Sequence, residues 1–274
     1  MMRNEEHVEL LSEHEILKFN QSRGEFKLLN DLVAVEDSVS LYINDNLYAV
    51  FHCLPSQLKE MTIGYLLTEG IVNRIEEISK VKVAERKVYI YLTEETPLKT
   101  VERIQFISTM CGDKGFKPPP RVLKAAHKLK FNRTKFHTET IFRAVKILNS
   151  KAYIFRASGG THAAALLDGD GTLIAFAEDI GRHNAVDKVV GEAAMKKADF
   201  SKLLLASSGR LTSEIVIKTL QMGIPVLVSL SAPTDKGVKL AKTFGLTLIG
   251  FSREKRFNIY SSPERIKFFK SPLN

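Results

Sequence analysis

The run Glu178-Asp179-Ile180-Gly181-Arg182-His183-Asn184-Ala185-Val186-Asp187-Lys188 constrains this chain more than any other segment. It crowds acids, a histidine, an asparagine and bases into the first turns of an expected helix. A surface helix spreads such groups over its solvent face instead. Asp179 stands where an N-cap would accept orphan backbone N–H groups. Ala185, Val186, Val189, Val190 and Ala193 then recur at helical spacing, which gives the helix one core face. The polar face either carries chemistry or forms a network that fixes the helix against its neighbours.

At 274 residues, with 44% apolar and 26% charged positions, the chain can bury a large core and divide into two domains. No apolar run approaches the roughly 18–20 residues of a membrane span. The start of the chain has no signal-peptide pattern, so a cytoplasmic protein without a membrane partner is expected. The net charge of +9 favours an anionic partner. Zinc-finger spacing and aromatic–basic reading motifs are absent, as is Trp, so nucleic acid is the weaker candidate beside a phosphate-bearing cofactor or an acidic protein surface. The two cysteines, Cys53 and Cys111, have no ligand or disulfide spacing, and no protein-ligated metal is expected.

Residues 1–30 read as an extended lead-in, and 31–108 as an α+β unit. That unit holds alternating strands between 31 and 53 with a turn at Asn44 to Asn46, a helix from Pro55 to Gly70, and strands over 79–84 and 87–93. Residues 109–150 read as a Gly- and Pro-rich loop around Cys111 followed by two helices, over 121–129 and 138–149. Residues 151–274 read as an α/β unit with strands over 153–156, 162–167, 173–177, 203–206, 226–229, 247–250 and 257–260. Helices between its later strands imply parallel pairs, with functional loops at the strand C-termini.

Those loops form a consistent set. Ser158-Gly159-Gly160-Thr161-His162, Ser207-Ser208-Gly209-Arg210 and Ser231-Ala232-Pro233-Thr234 offer small residues, hydroxyls and backbone N–H groups suited to an anion. Phe251-Ser252-Arg253-Glu254-Lys255-Arg256 ends another strand with guanidinium groups suited to phosphate oxygens, or forms a solvated charge run. Cys111 lies near Lys114 and Lys117, cations that lower a thiol pKa; an exposed thiolate there could carry sulfur as a persulfide. Cys53 ends an apolar strand and reads as core.

The blocks 158–166, 178–188, 208–210 and 231–234 and the Phe-x-Arg-x-x-Arg of 251–256 resemble the FdhD/NarQ family of formate dehydrogenase accessory sulfurtransferases, as does 63–70. The resemblance implies a sulfur carrier. It would take persulfide sulfur from a cysteine desulfurase and pass it to the molybdenum bis(molybdopterin guanine dinucleotide) cofactor of apo-formate dehydrogenase. It further implies a homodimer and a cytidine-deaminase-like C-terminal domain without zinc. By position, Cys111 would be the persulfide carrier, and Phe251, Ser252, Arg253, Glu254, Lys255 and Arg256 would be part of the cofactor site. Ser158, Gly159, Gly160, Thr161, His162, Arg182, His183 and Arg210 are further cofactor-site candidates. The family's loop reads Cys-Gly-x-Cys-Gly, whereas Lys114 stands here in the second cysteine's place, which excludes a relay between two loop thiols. A cofactor chaperone that moves no sulfur is the alternative reading.

Overall fold

The structure, a computed structural model, describes residues 9–94, 122, 123, 127, 129 and 131–268. Strands β1 (Leu11–Asn20) and β2 (Glu25–Ala34) pair as an antiparallel ribbon. The expected lead-in is therefore extended but paired, and its second strand runs past residue 30. A four-stranded sheet follows in the order β4-β3-β6-β5, from β3 (Asp37–Ile43), β4 (Asn46–Cys53), β5 (Ile78–Ala84) and β6 (Lys87–Leu92). Its first hairpin turns through Asn44 and Asp45, both at positive φ, a conformation these short polar side chains tolerate. Val39, Leu41, Ile43, Val88 and Ile90 alternate onto the buried face, as a half-buried strand requires.

Helix α1 (Leu58–Thr68) packs beneath that sheet and is buried nearly all round, so it shows little amphipathic contrast. The described positions between 122 and 131 are helical, and β7 (Phe136–His137) leads into α2 (Thr138–Lys151). The expected strand over 153–156 is instead the short helix α3 (Tyr153–Ser158). Aromatic and branched residues there favour a strand. Glu178 overrides them by accepting from the Ile154 and Phe155 N–H groups at 3.0 and 2.8 Å, which satisfies the start of a helix.

A six-stranded mixed sheet forms the second half in the order β13-β12-β11-β10-β8-β9. Its strands are β8 (His162–Leu167), β9 (Leu173–Asp179), β10 (Leu204–Ser207), β11 (Val226–Ser229), β12 (Thr247–Arg253) and β13 (Arg256–Ser261). Strands β10, β11 and β12 are parallel, while β8 and β13 run antiparallel to their neighbours. Between them lie α4 (Arg182–Met195), α5 (Ser213–Gln221) and α6 (Asp235–Phe244). Alternate strand residues face two cores: Ala164, Leu166, Leu205, Leu227 and Leu248 join the core shared with α1, α4 and α5, and Ala163, Ala165, Leu204, Val226 and Val228 face α2. A small pair, β7 with β14 (Ile266–Lys267), closes the far side. No helix of the described residues is long and apolar enough to cross a membrane.

The halves meet where α1 crosses α4. A Cβ on Gly64 would lie 1.8 Å from the Asp187 carbonyl oxygen, and one on Gly191 would lie 1.9 Å from that of Glu60. Backbone meets backbone at both points, so neither position has room for a methyl group. Gly64→Ala and Gly191→Ala are each expected to lose roughly 3 kcal/mol or more in denaturant unfolding, because the helices must separate. Gly169→Ala, where the nearest atom would be 3.8 Å away, is the control and is expected to stay within about 0.5 kcal/mol of the parent.

Candidate functional site

The C-terminal ends of β9, β10, β11 and β12 and the start of β8 share one edge of the six-stranded sheet, as the alternation of elements implies. The polar run of 178–188 divides there into two sets. Asp179, fully buried, pairs with Lys188 at 2.7 Å. It is not the helix cap; Gly181 occupies that position. Its carboxylate accepts from the Gly181 N–H at 2.8 Å, the Leu54 N–H at 3.2 Å and the Asn184 side chain at 3.0 Å. Lys188 also donates to the Leu54 and Glu178 carbonyl oxygens, both at 3.1 Å. Every polar atom of this pair is occupied, as a charge pair in an apolar interior requires.

Asp187 and Lys218 make a second buried pair at 2.9 Å, with Thr68 donating to Asp187 and Glu69 2.7 Å from the ammonium. Burial raises the Asp187 carboxyl to about 6. Burial works against the Lys218 charge, but Asp187 and Glu69 outweigh it and hold its pKa above the usual lysine value. These groups bind α1, α4 and α5 to one another.

Arg182, His183 and His162 are only half-buried, and His183 lines a cleft with Tyr65, Glu69, Glu214 and Lys218. Arg182 packs against Gly209, where a Cβ would meet the Arg182 Cβ at 2.9 Å. Arg182 Nε is buried without a hydrogen-bond partner, and among the described residues neither Arg182 nor the exposed Arg210 forms an ion pair. The neighbouring histidines register this excess of positive charge. Burial, then Arg182, Lys218 and His162, lower His183 to about 4. Burial, then Arg182 and Arg210, lower His162 as well. His183 Nε2 lies 3.0 Å from Glu214 Oε2, but too far off line for a hydrogen bond.

A chain of hydrogen bonds continues along the edge. His162 Nδ1 lies 3.2 Å from Ser208 Oγ, and Ser207 Oγ accepts from the Gly209 N–H. Ser229 Oγ donates to the Gly209 carbonyl at 2.6 Å and accepts from the Ser231 N–H at 2.9 Å. The Phe251 N–H reaches the Ser231 carbonyl at 3.0 Å. Phe251 has φ 52°, an outlier for a bulky residue that costs on the order of 1–2 kcal/mol, at an irregularity between Gly250 and Arg253. Beyond it Ser252 is fully buried with no partner for its hydroxyl, and Arg253 donates to the Leu230 and Ser252 carbonyls. Thus 251–256 joins two strands as a hairpin, and both strands run into it: Glu254 and Lys255 are its exposed turn, and Arg256 faces Arg253 across the ladder.

The 158–162 segment contributes less than its composition suggests. Ser158 Oγ donates to Ile154 O and accepts from the Gly160 N–H, the Gly159 N–H is bound by Phe155 O, and the buried Thr161 donates to Glu178. His162 is the side chain of that segment turned to the cationic groups. A cleft of about 440 Å³ adjoins it, lined by Ser158, Gly160 and Gly181 together with Ala34, Glu36 and His52 from the first half. The last three carry no sequence motif, and only tertiary packing brings them here. Ser208 lay in view as a loop residue, but its bond to His162 spans the sheet and has no local signal. Cys53 is buried, and burial followed by Asp179 raises its thiol to about 12, so it is inert. Cys111 lies outside the described residues. Among those residues, no group of three or more His, Cys, Asp or Glu side chains could hold a metal ion.

The fold and this edge define an α/β protein with two arginines, unpaired among the described residues, at one edge of a mixed sheet. Residues 34–267 match the model of the FdhD/NarQ family, and the chain belongs to that family. Sulfur carrier protein FdhD of Shouchella clausii is 33% identical over 250 residues, spanning 89% of this chain and 93% of that protein. The protein of the same name from Saccharolobus solfataricus is 37% identical over 243 residues, 86% of this chain and 91% of that one. The crystal structure of a protein from Desulfotalea psychrophila described as a formate dehydrogenase accessory protein superposes with a TM-score of 0.76. It is 25% identical, over 94% of this chain and all of that one.

The displaced histidine titration can be measured. Unfolded His183 titrates near 6.5 and folded His183 near 4, so between these values the native state binds fewer protons. Stability present above pH 6.5 should therefore decline as pH falls through that window, and His183→Gln should flatten the decline. Proton NMR of the His183 ring is expected to give a midpoint near 4, moving upward when pyrophosphate neutralises the guanidinium charges. A midpoint near 6.5 in the free protein would contradict the electrostatics described here.

Proposed function

We propose that the protein is a sulfur carrier for formate dehydrogenase maturation. In this reading it accepts sulfur from a cysteine desulfurase and sulfurates the molybdenum bis(molybdopterin guanine dinucleotide) cofactor, which is its cargo. The observation that carries the proposal is the unpaired cationic edge in a chain whose relatives are sulfur carrier proteins. Arg182 and Arg210 lack carboxylate partners among the described residues, and Arg253 faces Arg256 in register. Like charges so placed are costly unless an anion lies between them. A dinucleotide pterin supplies such anions through its phosphates. The residues for that role are His162, Arg182, His183 and Arg210, with the hairpin from Phe251 to Arg256. Ser158 and Thr161 act by holding the segment in place.

The Cys111 thiolate attacks the outer sulfur of the donor's persulfide, forming a Cys111 persulfide and releasing the donor cysteine as a thiol. Delivery as a sulfido ligand requires two electrons. An external thiol supplies them by attacking the inner sulfur, leaving a mixed disulfide at Cys111 and passing sulfide to the metal. The external thiol is needed because Lys114 stands where a second loop cysteine would be. A homodimer in the cytoplasm belongs to the same proposal. So does a cytidine-deaminase-like second domain, which the antiparallel β8–β9 pair beside three parallel strands supports.

Incubation with a cysteine desulfurase and L-cysteine should add the mass of one sulfur atom to the Cys111 peptide, and added thiol should release it. Cys111→Ala should abolish loading and formate dehydrogenase activation while retaining guanine-nucleotide binding. Full activation by Cys111→Ala would favour the cofactor chaperone that moves no sulfur.

A further inference from the structure

Ser208 is held at three points. Its backbone N–H donates to the Ala163 carbonyl at 2.9 Å, its hydroxyl oxygen accepts from the Ala163 N–H at 2.9 Å, and the same oxygen lies 3.2 Å from His162 Nδ1. A serine hydroxyl has one proton to place. If His162 carried its proton on Nδ1 and donated it to Ser208, the Ser208 proton would have no acceptor among the described contacts. If Ser208 donates to Nδ1, the Ser208 hydroxyl, the Ala163 N–H and Nδ1 are all used within the protein. The second arrangement places the hydroxyl proton on an acceptor within the protein, and it is the one the hydrogen-bond geometry favours. The ring is then protonated on Nε2, on its opposite side, where no hydrogen bond to a described residue occupies it.

We propose that Ser208 is a positioning residue that fixes His162 as the neutral Nε2–H tautomer, and that this N–H, with Arg182 and Arg210, forms a subsite for one phosphate group. The adjoining geometry suits that role. Gly209 lets the Arg182 side chain close against the same loop, and Arg182 Nε is buried with no partner in the protein. Arg210 follows directly. Burial together with Arg182 and Arg210 depresses the His162 pKa, so the ring donates as a neutral group and adds no third positive charge to the free protein. The fixed donor gives the subsite direction, and the two guanidinium groups give it strength. Of the proposed function, this inference takes only the identity of the phosphate-bearing ligand. The tautomer is independent of sulfur chemistry.

Two measurements test it. Long-range proton–nitrogen NMR of the full chain with ¹⁵N-histidine should find His162 neutral at pH 7, unprotonated at Nδ1 and protonated at Nε2. Ser208→Ala should mix the tautomers, and Ser208→Thr, which keeps the hydroxyl, should restore the single one. Titration with pyrophosphate should weaken about 5- to 10-fold in Ser208→Ala and more in His162→Ala, and recover in Ser208→Thr. Cys111→Ala should bind pyrophosphate as the parent does, so a failure of sulfur loading would leave this result standing. Guanosine diphosphate serves as a second probe: tighter binding than pyrophosphate assigns the subsite to a nucleotide phosphate, and equal binding to phosphate in general. An Nδ1-protonated or cationic His162 in the parent at pH 7 overturns the proposal even if Ser208→Ala does not fold. Unchanged pyrophosphate affinity in a folded Ser208→Ala overturns it too.

Discussion

The close crossing of α1 and α4 at Gly64 and Gly191 is the constraint on which the rest depends. Because backbone meets backbone there, the side chains flanking the crossing are drawn into reach across the seam. Asp187 meets Thr68, Lys218 meets both Asp187 and Glu69, and Lys188 reaches the Leu54 carbonyl. Separating the helices by the width of a methyl group would lengthen the contacts that cross from α1 and its flank to α4, Thr68–Asp187 and Leu54–Lys188, together. Buried charges tolerate that poorly, since an ion pair removed from water returns its desolvation cost only in good geometry. The glycines thus govern the electrostatics of the seam as well as its packing.

This arrangement also explains how one short run can hold both a buried charge network and groups left at the sheet edge. Asp179, Asp187 and Lys188 turn inward and neutralise one another with Lys218, so they add little net field at the surface. Arg182 and His183, on the first turn of the same helix, are left at the sheet edge. The cationic character of the edge follows from what the interior has consumed: Glu178 is committed to the start of α3 and Asp179 to Lys188, while Glu214, 3.0 Å from His183, forms no ion pair with Arg182 or Arg210 among the described residues. Reversing that commitment would require unpairing a buried lysine. The edge is held electropositive by the core.

The fold was legible wherever burial imposes a period. The alternation in β3 and β6 and the helical stripes of α2 and α4 appear at nearly the expected positions. Misreadings occur where a distant group decides local structure. Tyr153-Ile154-Phe155 has strand chemistry, yet a glutamate more than twenty residues away caps it as a helix. Asp179 looks like a cap from its neighbours, yet a lysine two helical turns on and a backbone N–H 125 residues away claim its carboxylate. The ribbon of β1 and β2 exposes Leu17, Phe19, Phe26 and Leu28 on one face, so no buried–exposed alternation marked it. At the site, the loops were legible from composition, but which of their groups remain available was not.

That last distinction changes how anion recognition is expected to work. A Gly- and Ser-rich edge suggests a cradle of backbone N–H groups, as at a phosphate-binding loop. Here the Gly159, Gly160, Gly209 and Ser231 N–H groups are already bound within the protein, and the hydroxyls of Ser158, Thr161, Ser207 and Ser229 are engaged with them or with neighbouring groups. These residues build a stiff rim and do not serve as the contact surface. In the proposed reading, recognition is left to side chains: the guanidinium groups of Arg182 and Arg210, the imidazoles, and the arginine-bearing hairpin beyond Phe251. Binding through cationic side chains at a partly exposed edge is more sensitive to salt than binding in a backbone nest, because screening acts on the former and spares fixed, desolvated dipoles. An edge of this kind suits a cargo that must be released as readily as it is taken up.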